Sequence, residues 1–87
     1  MDETAVESGD PEDAGPSGPV AVVGLGYVGT SLAAVLAEGG YEIRGVDVDR
    51  SVVDRVAAGE CPIEEAGITD RFERYAAEGR ITASTDP

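Results

Sequence analysis

The segment VAVVGLGYVG, residues 20–29, decides the fold of this chain. Its four consecutive apolar residues predict a strand that is buried on both faces of a parallel sheet. The glycines that follow match the pattern G-x-G-x-x-G. That pattern alone is weak, because glycines also collect in ordinary turns. Here it lies between a predicted strand and a predicted helix, which is the arrangement typical of a dinucleotide-binding turn.

Each glycine of the motif has a separate geometric task. Gly24 permits the tight turn out of the strand, and Gly29 lets the helix lie close against the sheet. A side chain at Gly26 would keep the backbone away from a pyrophosphate. The amides at the start of the helix, including those of Tyr27 and Val28, then point at the phosphates with the helix dipole behind them.

An acidic residue, Asp47, follows Gly29 by 18 residues at the end of the next predicted strand. A carboxylate at this position accepts hydrogen bonds from the adenosine ribose hydroxyls, and its charge repels the extra phosphate of NADP. Arg44 and Arg50 lie nearby, but Arg44 falls within the strand and Arg50 at the surface of the helix start. NAD is therefore the predicted cofactor, and the predicted cofactor-binding residues are Gly24, Gly26, Tyr27, Val28, Gly29 and Asp47.

Apolar periodicity and punctuating glycines place the other elements. The predicted strands cover 20–23, 41–48 and 80–85, and the predicted helices cover 28–38, a segment from Asp49 or Ser51 to Gly59, and a segment from Thr69 or Asp70 to 78. A loop spans 60–67. The order β-α-β-α-α-β predicts an incomplete Rossmann-type α/β domain with three parallel strands and right-handed crossovers.

Apolar residues recur at helical spacing in each predicted helix. In the first helix they are Val28, Leu32, Val35 and Leu36; in the second, Val52, Val53 and Val56 face inward; in the third, Phe72, Tyr75 and Ala76 lie on the buried side. Ser51 and Asp54 have capping-box spacing, with Asp49 as the alternative cap.

The charge balance is strongly acidic. Eighteen carboxylates stand against six basic residues, all of them arginine, for a net charge of −12. This argues against nucleic acid as a partner, because binding it requires neutralisation of phosphates. The surface either docks a basic partner or is adapted to a high-salt cytoplasm, and the absence of lysine and the many alanines favour the second interpretation.

Residues 1–19 combine acidic residues with a Pro/Gly/Ser cluster and no basic residue, which predicts a disordered tail. It is either a docking arm or a solvated extension, and the composition favours the solvated extension.

The acidic start does not resemble a secretory leader, and no apolar run is long enough for a membrane span. With one cysteine, Cys61, the sequence fits a reducing cytoplasm. We expect no metal site, because Glu64 and Glu65 have no histidine or carboxylate cluster beside them.

The residues at 24–29, 45–49, 62–68 and 80–86, together with Gly59, resemble the start of the UDP-sugar 6-dehydrogenases, which include the UDP-glucose and UDP-N-acetylmannosamine enzymes. The Tyr-Val pair within the glycine motif and the Pro-Ile-Glu loop are more specific than the glycines. The resemblance covers about Val20 to the last residue and only the front of the family's first domain.

The resemblance implies oxidation of a sugar C6 alcohol to a carboxylate, in two NAD-dependent steps through a cysteine-bound thioester. The implied catalytic cysteine, lysine and asparagine lie downstream, so no residue of this chain is predicted to be catalytic and Cys61 is an ordinary loop cysteine. A UDP-sugar is the implied substrate, and the full-length enzyme is expected to be a homo-oligomer. We expect this chain to be a fragment that binds NAD weakly and is inactive alone.

This sequence departs from the family pattern at two positions. Ala66 stands where the family usually has proline, which leaves the loop less rigid. Val52 stands where the family commonly has lysine or arginine near the cofactor. This loss is expected to weaken NAD binding unless Arg50 or Arg55 compensates. The alternatives are a regulatory nucleotide-sensing Rossmann domain of a potassium transport system, which normally lacks the 60–79 insertion, and a remnant that never folds. The particular UDP-sugar and the oligomeric state are not predicted.

Overall fold

The computed structural model describes residues 18–86. The predicted tail, residues 1–19, lies outside the described residues except at its last two positions, and Pro19 already begins the first strand. In chain order the elements are β1 Pro19–Val23, α1 Tyr27–Glu38, β2 Glu42–Val46, α2 Arg50–Ala57, α3 Thr69–Ala77 and β3 Ile81–Ser84. The predicted order β-α-β-α-α-β is confirmed, and each boundary moves by no more than two residues.

The three strands form one parallel sheet in the order β1-β2-β3. Val20 of β1 lies opposite Ile43 of β2, which in turn lies opposite Ile81 of β3. The segment between Ala57 and Thr69 contains neither helix nor strand, so the predicted loop over 60–67 is confirmed. This is the Rossmann-type arrangement that alternating strands and helices predict.

The hydrophobic core lies on one face of this sheet. Val22, Ile43 and Ile81 are buried there, in the same cluster as helix residues such as Phe72. The residues that alternate with them point to the other face, and Val23 is 78% exposed. The prediction that β1 is buried on both faces was therefore wrong within residues 18–86, because all three described helices pack on the same face.

The first helix turns its small residues to the sheet. Its buried side chains are Thr30, Ala33, Ala34 and Ala37. Val28, Leu32 and Val35, whose spacing predicted the helix, are instead exposed, Val28 by 82%. Alanine faces let the helix axis approach the sheet closely, so the apolar spacing located the helix without identifying its core side.

The other two helices turn the predicted side chains inward, although Val52 and Ala76 are only partly buried. The two helices begin with different caps. Asp49 caps α2, its Oδ1 accepting from the Ser51 amide at 2.9 Å and from the Ser51 hydroxyl at 2.7 Å. These bonds hold the pKa of Asp49 below its usual value. The predicted caps of α3 were wrong, since Ile68 occupies that position. None of the helices described here is long and apolar enough to cross a bilayer.

Candidate dinucleotide site

The glycine motif lies at the carboxyl end of β1, where ligands of open parallel sheets bind. Gly24 follows the strand directly and has φ +88°. Its amide donates to the Val46 carbonyl at 2.7 Å, which extends the ladder between β1 and β2 by one bond. Only glycine adopts this backbone conformation readily, so Gly24 makes the sharp turn that the sequence predicted.

Gly26 and Gly29 have opposite surroundings. A Cβ atom at Gly29 would overlap the carbonyl oxygen of Gly24 and lie 3.4 Å from Cγ1 of Val22. Gly29 is therefore required by the contact of α1 with the end of β1, as predicted. A Cβ atom at Gly26 would meet no heavy atom of the described chain within 4 Å. Nothing in the fold itself demands glycine at Gly26.

The first turn of α1 borders an open groove. Gly26 is the N-cap residue and makes no side-chain capping bond. The first amides of a helix have no acceptor within the helix, and they carry its positive dipole end. Tyr27 and Val28 are exposed beside a groove of about 500 Å³ that the motif glycines also line. The arrangement offers several main-chain donors to an anionic ligand.

Asp47 connects this groove to β2. Its Oδ2 accepts from the Leu25 amide at 2.8 Å, and its Oδ1 accepts from the Asp49 amide at 2.9 Å. A carboxylate offers about four lone-pair positions, so each oxygen can accept one more bond. Asp47 therefore lies beside the motif with acceptor capacity for ribose hydroxyls, at the position the sequence predicted.

Of the three arginines near Asp47 in the sequence, two already pair with other carboxylates. Arg44 lies in β2 and pairs with Glu42 at 3.7 Å. Arg55 pairs with Glu60 at 3.6 Å and donates to the Cys61 carbonyl at 3.4 Å, at the far end of α2. Arg50 is exposed at the start of α2. Of the three arginines, Arg50 is therefore the one placed to compensate for the lysine or arginine that the family commonly has at Val52.

The Pro-Ile-Glu loop is held by one hydroxyl. Thr69 accepts from the Glu65 amide at 2.9 Å and donates to the Ile63 carbonyl at 3.1 Å. Its side chain is used here and not as a helix cap. Glu65 also lines a surface depression with Tyr27 and Val28 of α1. The loop therefore borders the start of α1, close to the motif.

Cys61 belongs to the core and lies outside the groove. It is 3% exposed, and its amide donates to Oε2 of Glu73 at 3.1 Å. Burial raises the pKa of its thiol, which keeps it protonated and poorly nucleophilic. Over residues 18–86 no three His, Cys, Asp or Glu side chains gather closely enough to hold a metal.

These features fit a dinucleotide. The space in front of Gly26 would admit a diphosphate, the α1 amides would donate to it, and Asp47 would accept from the ribose. Residues 19–87 match the UDP-glucose/GDP-mannose dehydrogenase family, NAD binding domain. The chain belongs to this family. The predicted resemblance and the predicted cofactor, NAD, are both confirmed.

Several relatives share this domain. UDP-glucose 6-dehydrogenase AglM of Haloferax volcanii is 42% identical over 67 residues, which are 77% of this chain and 15% of that protein. The structure of UDP-N-acetyl-mannosamine dehydrogenase Cap5O from Staphylococcus aureus superposes with a TM-score of 0.73 at 33% identity, over 79% of this chain and 17% of the other. The family match decides against the potassium-transport alternative.

A third relative is named for a different nucleotide sugar. GDP-mannose dehydrogenase from Pseudomonas aeruginosa, solved as a ternary complex, has a TM-score of 0.70 at 36% identity, over 76% of this chain and 15% of that chain. The chain thus spans about one sixth of the length of the relatives it matches.

Sequence reasoning missed one residue of the site, Leu25. Its side chain is 2% exposed, and its amide is the group that Asp47 binds. The motif treats this position as variable. The only signal was the apolar character of Leu25 beside two glycines, which does not distinguish a buried side chain from an exposed one.

Proposed function

We propose that this chain is the part of a nucleotide-sugar 6-dehydrogenase that binds the adenosine diphosphate half of NAD. The observation that carries this proposal is Gly26, a glycine which the fold does not require and which faces open space at the tip of α1. The family to which the chain belongs identifies the cofactor as NAD. The activity of the whole enzyme is proposed from its relatives.

The proposed roles of the residues follow from their chemistry. Gly26 allows the diphosphate to approach the backbone, and the amides of Tyr27 and Val28 donate to it. Gly24 and Gly29 shape the turn that presents those amides. Asp47 accepts from the ribose hydroxyls and disfavours the additional phosphate of NADP. When bound, NAD supplies the acceptor for the hydride that leaves the sugar C6 carbon.

For the substrate we propose a UDP-sugar whose C6 alcohol is oxidised to a carboxylate in two steps. Two relatives support this choice, a UDP-glucose enzyme and a UDP-N-acetyl-mannosamine enzyme. A GDP-mannose enzyme is a competitor of similar identity. Oxidation assays of the full-length enzyme with UDP-glucose, UDP-N-acetylmannosamine and GDP-mannose distinguish them, and turnover of GDP-mannose alone would refute the UDP-sugar assignment.

NAD titration tests the binding role directly. Isothermal calorimetry of the full chain in molar KCl should show saturable NAD binding and much weaker NADP binding. Equal affinity for the two cofactors would contradict the role given to Asp47. Absence of NAD binding in a folded sample would contradict the role of the glycine motif.

We further propose that the protein works in a salt-rich cytoplasm and, at full length, as a homo-oligomer without nucleic acid or membrane partners. Support for the high-salt setting comes from the net charge of −12 and from basic residues that are all arginine. A dense carboxylate surface tolerates self-repulsion when salt screens it. Light scattering of the full-length enzyme in molar KCl would measure its oligomeric state.

A further inference from the structure

Leu25 is enclosed by residues that the glycine motif does not include. Its side chain is 2% exposed and lies over Gly45, the penultimate residue of β2. A Cβ atom at Gly45 would lie 2.8 Å from Cδ1 and 3.1 Å from Cδ2 of Leu25. The Leu25 side chain thus occupies the space that any larger residue at Gly45 would need.

The backbone conformation gives no other reason for glycine at this position. Gly45 is absent from the five described glycines with positive φ. It pairs in register with Val22 of β1 and Ala83 of β3, as an ordinary strand residue does. The glycine at Gly45 is explained by its contact with Leu25.

Thr30 holds the main chain on the other side of Leu25. It is fully buried, and its hydroxyl donates to the Leu25 carbonyl at 3.0 Å. Its amide donates to the Gly26 carbonyl at 2.9 Å. A buried hydroxyl in a helix is costly without a partner, so this bond fixes the first turn of α1 to the loop.

We infer that Gly45 and Thr30 are positioning residues for NAD binding, because together they fix Leu25 and with it the amides that receive the diphosphate. Both side-chain positions are buried, so neither residue lies on the surface that a cofactor would touch. The inference rests on the proposed NAD-binding role of the loop. A loop fixed before the ligand arrives loses less conformational entropy on binding, which raises affinity.

Two test variants, one conservative variant and two matched controls test this inference. Thr30→Val removes the hydroxyl while keeping the shape, and Gly45→Ala displaces Leu25. Thr30→Ser is the conservative variant, which keeps a hydroxyl at this position. Thr82→Val makes the same change on the exposed face of β3, and Gly39→Ala makes the same change at the end of α1, where a Cβ would meet no atom closer than 3.4 Å.

The first measurement needs no cofactor. Amide hydrogen exchange of the full chain should become about tenfold faster at Leu25 in both test variants, since its bond to Asp47 loosens when the loop shifts. Exchange at Ile43 in β2 should change much less. Equal acceleration at both amides would indicate general destabilisation and would overturn the inference.

The second measurement is NAD affinity, under conditions where circular dichroism shows every variant folded. The dissociation constant should rise about tenfold in Thr30→Val and Gly45→Ala and stay within about threefold in Thr30→Ser and both controls. Unchanged affinity in the two test variants would overturn the inference. If the unaltered chain fails to bind NAD, the proposed function fails instead, and the exchange experiment still decides whether Gly45 and Thr30 fix the Leu25 amide.

Discussion

The amide of Leu25 donates to the carboxylate of Asp47 at 2.8 Å, across 22 positions of sequence. This bond joins the turn after β1 to the end of β2. The other carboxylate oxygen accepts from Asp49, which caps α2. Asp47 thus connects the glycine motif with the helix that follows it, so the residue proposed to select the cofactor also organises the site.

Asp47→Asn should weaken NAD binding about tenfold and reduce the preference over NADP. An amide oxygen still accepts one hydrogen bond, but it loses the charge that strengthens bonds to ribose and repels the extra phosphate. Calorimetric titration with both cofactors measures the effect. Asp54→Asn, the same acid-to-amide change at an exposed position of α2, serves as the control. A preserved NAD preference in Asp47→Asn would contradict the charge argument.

The parts of the site that were predictable from sequence depend on short spacings. The glycine motif and Asp47 could be located because backbone freedom and strand ends are local properties. The relation of Leu25 to Gly45 could not be predicted, since it joins the turn after β1 to β2 through a contact that no sequence spacing encodes. Thr30 is similar: its hydroxyl bonds to a carbonyl five residues earlier, and the apolar pattern of the helix does not mark it.

Gly26→Val should leave the fold intact and abolish NAD binding. A side chain at this position points into open space, so the free energy of unfolding should fall by no more than about 2 kcal/mol, the upper end of the usual range for a change at a helix N-cap. The side chain would then occupy the proposed diphosphate position. Urea unfolding and NAD calorimetry measure the two effects. Retained affinity would exclude Gly26 from the binding surface.

Gly29→Ala should have the opposite effect to Gly26→Val, because its main consequence should be a loss of stability of the fold. Its Cβ would overlap the Gly24 carbonyl, which forces α1 away from β1. We expect a loss of about 1–3 kcal/mol or more in the free energy of unfolding. The urea midpoint should fall by much more than in Gly39→Ala, where alanine finds space. Equal midpoints in the two variants would contradict the close approach of α1 to the sheet.

The α1 face shows why burial was harder to predict than the helix itself. Gly29 brings α1 so near the sheet that only small side chains, such as Ala33 and Ala34, fit between them. Helical spacing of Val28 and Leu32 indicates a helix but not which side meets the sheet. Within residues 18–86 those side chains remain exposed beside β1, which pairs with β2 alone.

Tyr75→Phe should destabilise the protein at neutral pH and not at strongly alkaline pH. The Tyr75 hydroxyl donates to Oε1 of Glu38 at 2.8 Å, joining α3 to α1. This bond, with burial as a second cause, raises the pKa of Tyr75. A raised folded-state pKa gives stability that is present below the unfolded value of about 10 and lost as pH rises through the folded value.

Urea midpoints of the unaltered chain and Tyr75→Phe, measured from pH 7 to pH 11.5, test this prediction. The difference between the midpoints should be constant below about pH 9 and should shrink progressively as the pH rises above about 10. A difference between the chain and Tyr75→Phe that stays constant from pH 9 to pH 11.5 would contradict the role of the Glu38 bond.

The unfolding temperature should rise with salt, because self-repulsion at a net charge of −12 opposes the compact state. Raising KCl from 0.1 M to 1 M shortens the screening length from about 10 Å to about 3 Å. We expect a gain of at least about 4 °C, equivalent to about 1 kcal/mol in a domain of this size. Thermal melts monitored by circular dichroism measure this gain.

The double variant Glu64→Gln/Asp70→Asn removes two exposed charges, so its melting temperature should depend less on salt. A melting temperature that decreases when KCl is raised from 0.1 M to 1 M would show that the carboxylates make stabilising contacts that salt weakens. That result would contradict the high-salt setting.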